Sequence, residues 1–124
     1  MTRPKIRHLA FTARNAEALA QFYCDQFEME IFHKDDEGNH FLTDGYLNLA
    51  ILQQALDGDV PTGFNHFGFQ VDDVAATSRQ LVAGGGPEPA ARYTKRPFAE
   101  YRAIDPEGNW FDLSGHGYLP AQNE

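Results

Sequence analysis

The chain has a single cysteine, a single tryptophan, few basic residues and no apolar run near bilayer-spanning length. Each shortage excludes something. A lone Cys24 cannot form an intrachain disulfide. It stands beside Tyr23 in a helical pattern, the setting of a packed thiol rather than of a nucleophile. Crossing a bilayer takes about 20 consecutive apolar residues, so no membrane segment is expected. Two early charges with no apolar core behind them do not make a signal peptide, which leaves a cytoplasmic location by default. Ten basic residues against 18 acidic ones give a formal net charge of −8. Nucleic-acid phosphates would be repelled by that surface on average, so nucleic acid is not an expected partner.

What is present points to one domain of 124 residues, 42% hydrophobic, with a half-length repeat inside it. Arg7-His8-Leu9-Ala10-Phe11-Thr12 and Asn65-His66-Phe67-Gly68-Phe69-Gln70 are similar segments, each followed by a helix-like stretch. In the first half a strand over residues 6–12 meets Asn15, a good N-cap. Leu19, Phe22, Tyr23 and Phe27 then mark one face of a helix over Ala16–Phe27. Strands follow near Met29–Lys34, His40–Thr43 and Tyr46–Gln53, separated by Asp35-Asp36-Glu37-Gly38-Asn39 and Asp44-Gly45. Residues 55–63 read as a linker.

The second half repeats the order. A strand over Asn65–Val71 leads to a helix over Val74–Ala83 capped by Asp73. Gly84-Gly85-Gly86-Pro87 follows that helix rather than preceding one, which makes it a terminator and not a phosphate loop. Strands near Ala91–Tyr93, Tyr101–Ile104 and Trp110–Ser114 complete the unit, the last after the turn Asp105-Pro106-Glu107-Gly108-Asn109. The expected fold is α+β, two βαβββ modules over about 5–54 and 64–118, forming a curved mixed sheet cup with helices outside.

Strand alternation sorts the side chains by face. Leu9 and Phe11, Leu47, Leu49 and Ile51, Phe67, Phe69 and Val71, and Phe111 and Leu113 form apolar sets that would pack beneath the helices. His8, Asn48, His66 and Asp112 fall on the opposite faces, which a curved sheet would turn into one cup. Two imidazoles and a carboxylate are a minimal ligand set for a divalent metal. Trp110 shares the face of Asp112 and could wall a pocket, while Phe98 and Tyr101 precede the closing turn and could line it. Arg92, Lys95, Arg96 and Arg102 form the only dense basic stretch. It is open to two roles, a solvated loop or a hold on an anionic substrate group. Glu100 is a candidate base. His33 and His40 flank a polar turn and read as solvated, and His116 follows the last strand, open to a place at the cup's rim or a surface role.

A doubled βαβββ chain with these residues resembles the vicinal oxygen chelate superfamily, which contains glyoxalase I, extradiol dioxygenases and bleomycin-resistance proteins. The resemblance covers about residues 5–118. Its most specific piece is Asp105-Pro106-Glu107-Gly108-Asn109-Trp110-Phe111-Asp112-Leu113, similar to a closing motif that normally ends in Glu-Leu. It implies metal ligands at His8, His66 and Asp112, with Asn48 at a fourth position where glyoxalase I uses a carboxylate or imidazole. Asn48 with Asp112, like His8 with His66, would then be pairs under an internal pseudo-twofold. A neutral amide is a poor transition-metal ligand, so Asn48 is expected to hydrogen-bond water or substrate. The resemblance implies a metal-dependent lyase or dioxygenase using Fe, Mn, Ni or Zn, a small-molecule substrate and a homodimer. Glu100 and Tyr101 are the catalytic candidates, and Asn48, Phe98, Arg102 and Trp110 the substrate-binding ones. The alternative is a non-catalytic protein that binds a bleomycin-type antibiotic, which the acidic charge suits.

Overall fold

A computed structural model of the chain describes residues 2–56, 60–92 and 100–120. It divides into two compact units, one of residues 8–65 and the other of residues 1–7 together with residues from 66 onward. The fold is α+β, two βαβββ modules each with one helix and a mixed sheet. No helix among the described residues is long and apolar enough to cross a membrane.

In the first module the order is β1 (Lys5–Ala13), α1 (Ala16–Phe27), β2 (Glu30–Lys34), β3 (His40–Thr43) and β4 (Asn48–Gln53). The strands lie in the order β2-β3-β4-β1, with β1 parallel to β4 and the other pairs antiparallel. Asn15 caps α1 by accepting from the Ala18 N–H at 3.0 Å, a contact worth about 1 kcal/mol. The helix ends at Glu28, which donates its N–H to the Cys24 carbonyl and then turns the chain out of the helix with a left-handed φ of 59°. Leu42, Leu49 and Ile51 form the core beneath α1 with Ala13, Ala16 and Ala20, and Leu9, Phe11 and Cys24 pack against it. Fully burying a residue such as Leu42 or Ile51 contributes about 1.5–3 kcal/mol. The opposite face of this sheet is not wholly polar, because Ala10, Phe41 and Ala50 form a second small cluster there.

The second module runs β5 (Gly63–Gln70), α2 (Val74–Ala83), β6 (Ala90–Ala91), β7 (Tyr101–Ile104) and β8 (Trp110–Ser114). Its strands lie in the order β5-β8-β7-β6, β5 parallel to β8 and the rest antiparallel. Asp73 caps α2 through the Ala76 N–H at 3.0 Å. Val71, Ala103, Phe111 and Leu113 make the core, with Phe67, Phe69, Val74 and Tyr101 packed against it.

Both modules contain one five-residue turn. Asp35 Oδ1 accepts from the N–H groups of Glu37 and Asn39 at 3.0 Å each, and Asn39 Nδ2 donates to Asp35 Oδ2 at 2.8 Å. Asp105 repeats the pattern with Glu107 and Asn109 at 2.9, 2.8 and 3.0 Å. Gly38 and Gly108 supply the positive φ, 89° and 88°, that a residue with a side chain adopts only at a cost. The first copy joins β2 to β3 and the second joins β7 to β8, so the turn recurs without marking equivalent positions.

Candidate functional site

Within the first module, β1 and β4 run parallel with His8 directly opposite Asn48. His8 is 5% exposed and Asn48 0%. His8 Nδ1 lies 3.2 Å from Asn48 Oδ1, so the amide oxygen accepts the Nδ1–H. That contact selects the tautomer whose Nε2 carries the lone pair, the form an imidazole needs as a metal ligand.

In the second module the register differs. Asp112 of β8 is paired with Gly68 of β5, two residues beyond His66. Asn48 and Asp112 are therefore not register equivalents, which corrects the pairing expected from the internal repeat. Asp112 nonetheless reaches diagonally to His66, with Oδ2 and Nε2 3.1 Å apart. Its other oxygen, Oδ1, lies 3.7 Å from Arg92 Nη1 and 3.6 Å from Arg102 Nε. Arg102 comes from the position of β7 that pairs with Asp112, and its guanidinium lies 4.4 Å from the centre of the Trp110 ring. Trp110 is itself about half exposed.

Glu100 and Ser114 adjoin this group in the chain. Ser114 Oγ donates to Glu100 Oε2 at 2.5 Å, and the N–H groups of Gly117 and His116 donate to the same hydroxyl. Tyr118, which sequence reasoning did not single out, is fully buried and donates its hydroxyl to the Phe69 carbonyl at 3.0 Å. Burial, then the negative charges of Asp112 and Glu100, hold its phenol well above the usual tyrosine range. A buried aromatic four residues past the closing strand had no periodic pattern to reveal it.

Several candidates fall elsewhere. Tyr101 pairs with Leu113 and packs into the cluster on the helix side. Alternation along β7 sends it to the face opposite Arg102 and Asp112, so it does not stand with the acid as a catalytic group would. It lines instead a groove of about 600 Å³ beside α2, with Val74, Ser78, Arg79, Val82 and Glu88. His40 is buried rather than solvated, its Nδ1 3.0 Å from the Gly38 carbonyl. His33 is half-buried and packs on Phe41, and His116 is exposed. Phe98, Lys95 and Arg96 lie outside the described residues.

The spacing within the second module fits a shared cation. Two donors each about 2.0–2.2 Å from one ion and at right angles stand roughly 3 Å apart, the separation found between His66 Nε2 and Asp112 Oδ2. The arginines act on the far oxygen of Asp112 and so leave that geometry undisturbed, as supporting groups around a ligating carboxylate do. Among the described residues, His8, His66 and Asp112 are the buried His and Asp side chains that could serve as such ligands.

The sequence profile of the Glyoxalase/Bleomycin resistance protein/Dioxygenase superfamily matches residues 5–113. The chain belongs to that superfamily. Its similarity extends to a probable chloroplastic lactoylglutathione lyase of Arabidopsis thaliana, 27% identical over 94% of this chain and 37% of that protein. The chain thus spans little more than a third of that relative's length. Among solved structures, a hypothetical protein from Bacillus halodurans C-125 superposes with a TM-score of 0.68 at 15% identity, covering 90% of this chain and 94% of its own. A Streptomyces coelicolor methylmalonyl-CoA epimerase variant in complex with 2-nitronate-propionyl-CoA gives 0.64 at 19% identity, covering 94% and 98%. At these identities the structures speak for the fold alone.

Proposed function

We propose that the chain is a divalent-metal-dependent enzyme, lyase- or dioxygenase-like, that takes a small substrate through adjacent oxygens. His8, His66 and Asp112 would hold one ion of Fe, Mn, Ni or Zn. The observation that carries this reading is the buried His66–Asp112 pair at 3.1 Å, a carboxylate 1% exposed that lies beside an imidazole at ligand spacing. The match to the superfamily over most of the chain supports it.

When bound, the ion would supply positive charge that draws electron density from the chelating oxygens of the substrate. The chain's own residues do the rest. Asn48 fixes the tautomer and orientation of His8. Arg92 and Arg102 hold the outer oxygen of Asp112. Trp110 and Phe98 would wall the substrate, and Glu100, its carboxylate held by Ser114, would accept a proton. Tyr101 has no part in this scheme. A homodimer, which would cover exposed sheet edges, belongs to the same proposal and is tested by light scattering.

The test is turnover by protein loaded separately with Fe(II), Mn(II), Ni(II) and Zn(II). Each form is assayed for oxygen uptake with catechols, breakdown of lactoylglutathione and epimerisation of methylmalonyl-CoA. Metal-dependent turnover of any of these, abolished by His66→Ala, supports the proposal. A chain that takes up none of the four ions contradicts it and leaves the non-catalytic binding role, for which bleomycin is the probe.

A further inference from the structure

The helix side of the second module carries a cavity for which the metal reading has no use. The groove of about 600 Å³ beside α2 falls within the range of about 300–1,000 Å³ typical of small-ligand sites. Val74, Ser78 and Val82 line it at every fourth position of the helix, so the groove follows the helix axis. α2 has no buried residue, whereas α1 buries Ala16 and Ala20. Val82 accordingly stands 47% exposed. The buried Pro89 and the half-buried Tyr101 line the groove as well. Tyr101 packs on the helix side of β7, while its neighbour Arg102 turns to Asp112 on the other face.

Two opposite charges share this groove. Arg79 and Glu88 both line it and both are exposed. Among the described residues, neither side chain makes an ion pair or a hydrogen bond, with the other or with any third group. The hydroxyl-bearing side chains of Ser78 and Tyr101 likewise make no hydrogen bond there. A cation and an anion that line one recess without meeting favour a ligand bearing both charges. A simple anion drawn to Arg79 is repelled by Glu88, and a simple cation meets the reverse. A dipolar ion satisfies both, and Val74, Val82 and Pro89 offer an apolar group a surface to cover.

We propose that this groove binds an α-amino acid with a bulky apolar side chain. Arg79 takes the carboxylate, Glu88 takes the ammonium group, and the side chain lies against Val74, Val82 and Pro89. The planar fork of a guanidinium matches a carboxylate in a bidentate fashion. The hydroxyls of Ser78 and Tyr101 add neutral partners for the remaining donors and acceptors of the ligand. No proposed metal ligand lines the groove, so the inference stands apart from the metal reading and goes beyond it.

The experiment is titration of the 15N-labelled chain, in chelator, with L-phenylalanine to about 10 mM, followed by amide NMR shifts. Chelator keeps the amino acid from binding through a metal ion. Saturable shifts along α2 and at Glu88 and Tyr101 are expected. 3-Phenylpropanoate lacks the ammonium group and phenethylamine lacks the carboxylate. Each should bind about tenfold or more weakly, as loss of a charge-assisted contact implies. Arg79→Gln should weaken L-phenylalanine about tenfold and leave phenethylamine no weaker. Glu88→Gln should weaken L-phenylalanine likewise and leave 3-phenylpropanoate no weaker. That crossed pattern is one that merely structural charges would not give. Absence of saturable shifts at these residues overturns the proposal, as does equal affinity for L-phenylalanine and either singly charged probe. A dimer that Val82→Asp dissociates, with no L-phenylalanine binding, makes the groove a contact between copies and overturns it too.

Discussion

Replacing Asp112 by asparagine removes one charge and almost no volume, and its effect on the metal-free chain follows from the contacts around that carboxylate. The guanidiniums of Arg92 and Arg102 stand 3.7 and 3.6 Å from Oδ1. At an effective dielectric of about 20, each such pair is worth roughly 4–5 kcal/mol of attraction. Two effects reduce the loss. The arginines are about one-fifth exposed and can turn toward water, and the amide no longer bears the desolvation cost of a carboxylate 1% exposed. Removing one partner of a buried ion pair typically costs 3–5 kcal/mol, and the low end applies where the partners can relax. About 3 kcal/mol in a chain of 124 residues lowers Tm by roughly 10 °C. The assay is thermal unfolding in chelator, followed by circular dichroism. A second scan with excess Zn(II) should raise the wild-type Tm, since ligand binding to the native state stabilises it, and leave Asp112→Asn unmoved. An Asp112→Asn protein that melts within about 2 °C of wild type in chelator refutes the electrostatic reasoning.

Asn48→Ala removes the acceptor of the His8 Nδ1–H and is expected to weaken metal binding about 10- to 100-fold, with stability falling by roughly 1–2 kcal/mol; equilibrium metal titration and chemical unfolding read the two effects. Gly38→Ala and Gly108→Ala both force an alanine to positive φ, at a cost of about 1 kcal/mol. Gly38→Ala should be the worse, because its new Cβ would meet Gln53 Cβ at 3.3 Å while Gly108 has open space around it; urea unfolding of the two variants decides the order. Hydrogen bonds from Asn109, first its side chain and then its backbone, hold the Asp105 carboxyl below its ordinary 3.8. Its contribution is therefore present above pH 3.8 and is lost as pH falls through the lower folded-state value. The stability difference between wild type and Asp105→Ala should shrink across that acid range and stay constant from pH 5 to 7.

The helices were legible because each begins at a side chain that caps it, Asn15 and Asp73, and the first carries a readable apolar face. Strand boundaries were less so where a side chain captures the backbone. Tyr46 and Leu47 read as the start of a strand, yet both their N–H groups donate to Asp44 Oδ1 at 2.9 Å, so β4 begins at Asn48. Alternation placed Leu9, Phe11, Leu49 and Ile51 correctly beneath α1. It also implied that Tyr101 and Arg102 take opposite faces, a consequence the choice of Tyr101 as a catalytic candidate overlooked. His40 lay beside a polar turn, but Asn39 turns inward to bond the Gln53 N–H at 2.8 Å, and His40 is buried next to it. The repeat of the segments around His8 and His66 was visible, whereas the two-residue offset of Asp112 was not. Register depends on which partner strand the chain meets, and no single strand encodes that. The convergence of Arg92 and Arg102 on Asp112 was hidden for the same reason.

The most direct measurement is the stoichiometry of divalent-ion binding by the intact chain and by His8→Ala, His66→Ala and Asp112→Ala, read by equilibrium titration with Co(II), whose visible spectrum reports the ligand set. One ion per chain, lost or weakened by orders of magnitude in each of the three variants, is the expected result. Binding that survives His8→Ala or Asp112→Ala undiminished would contradict a centre built from these three side chains.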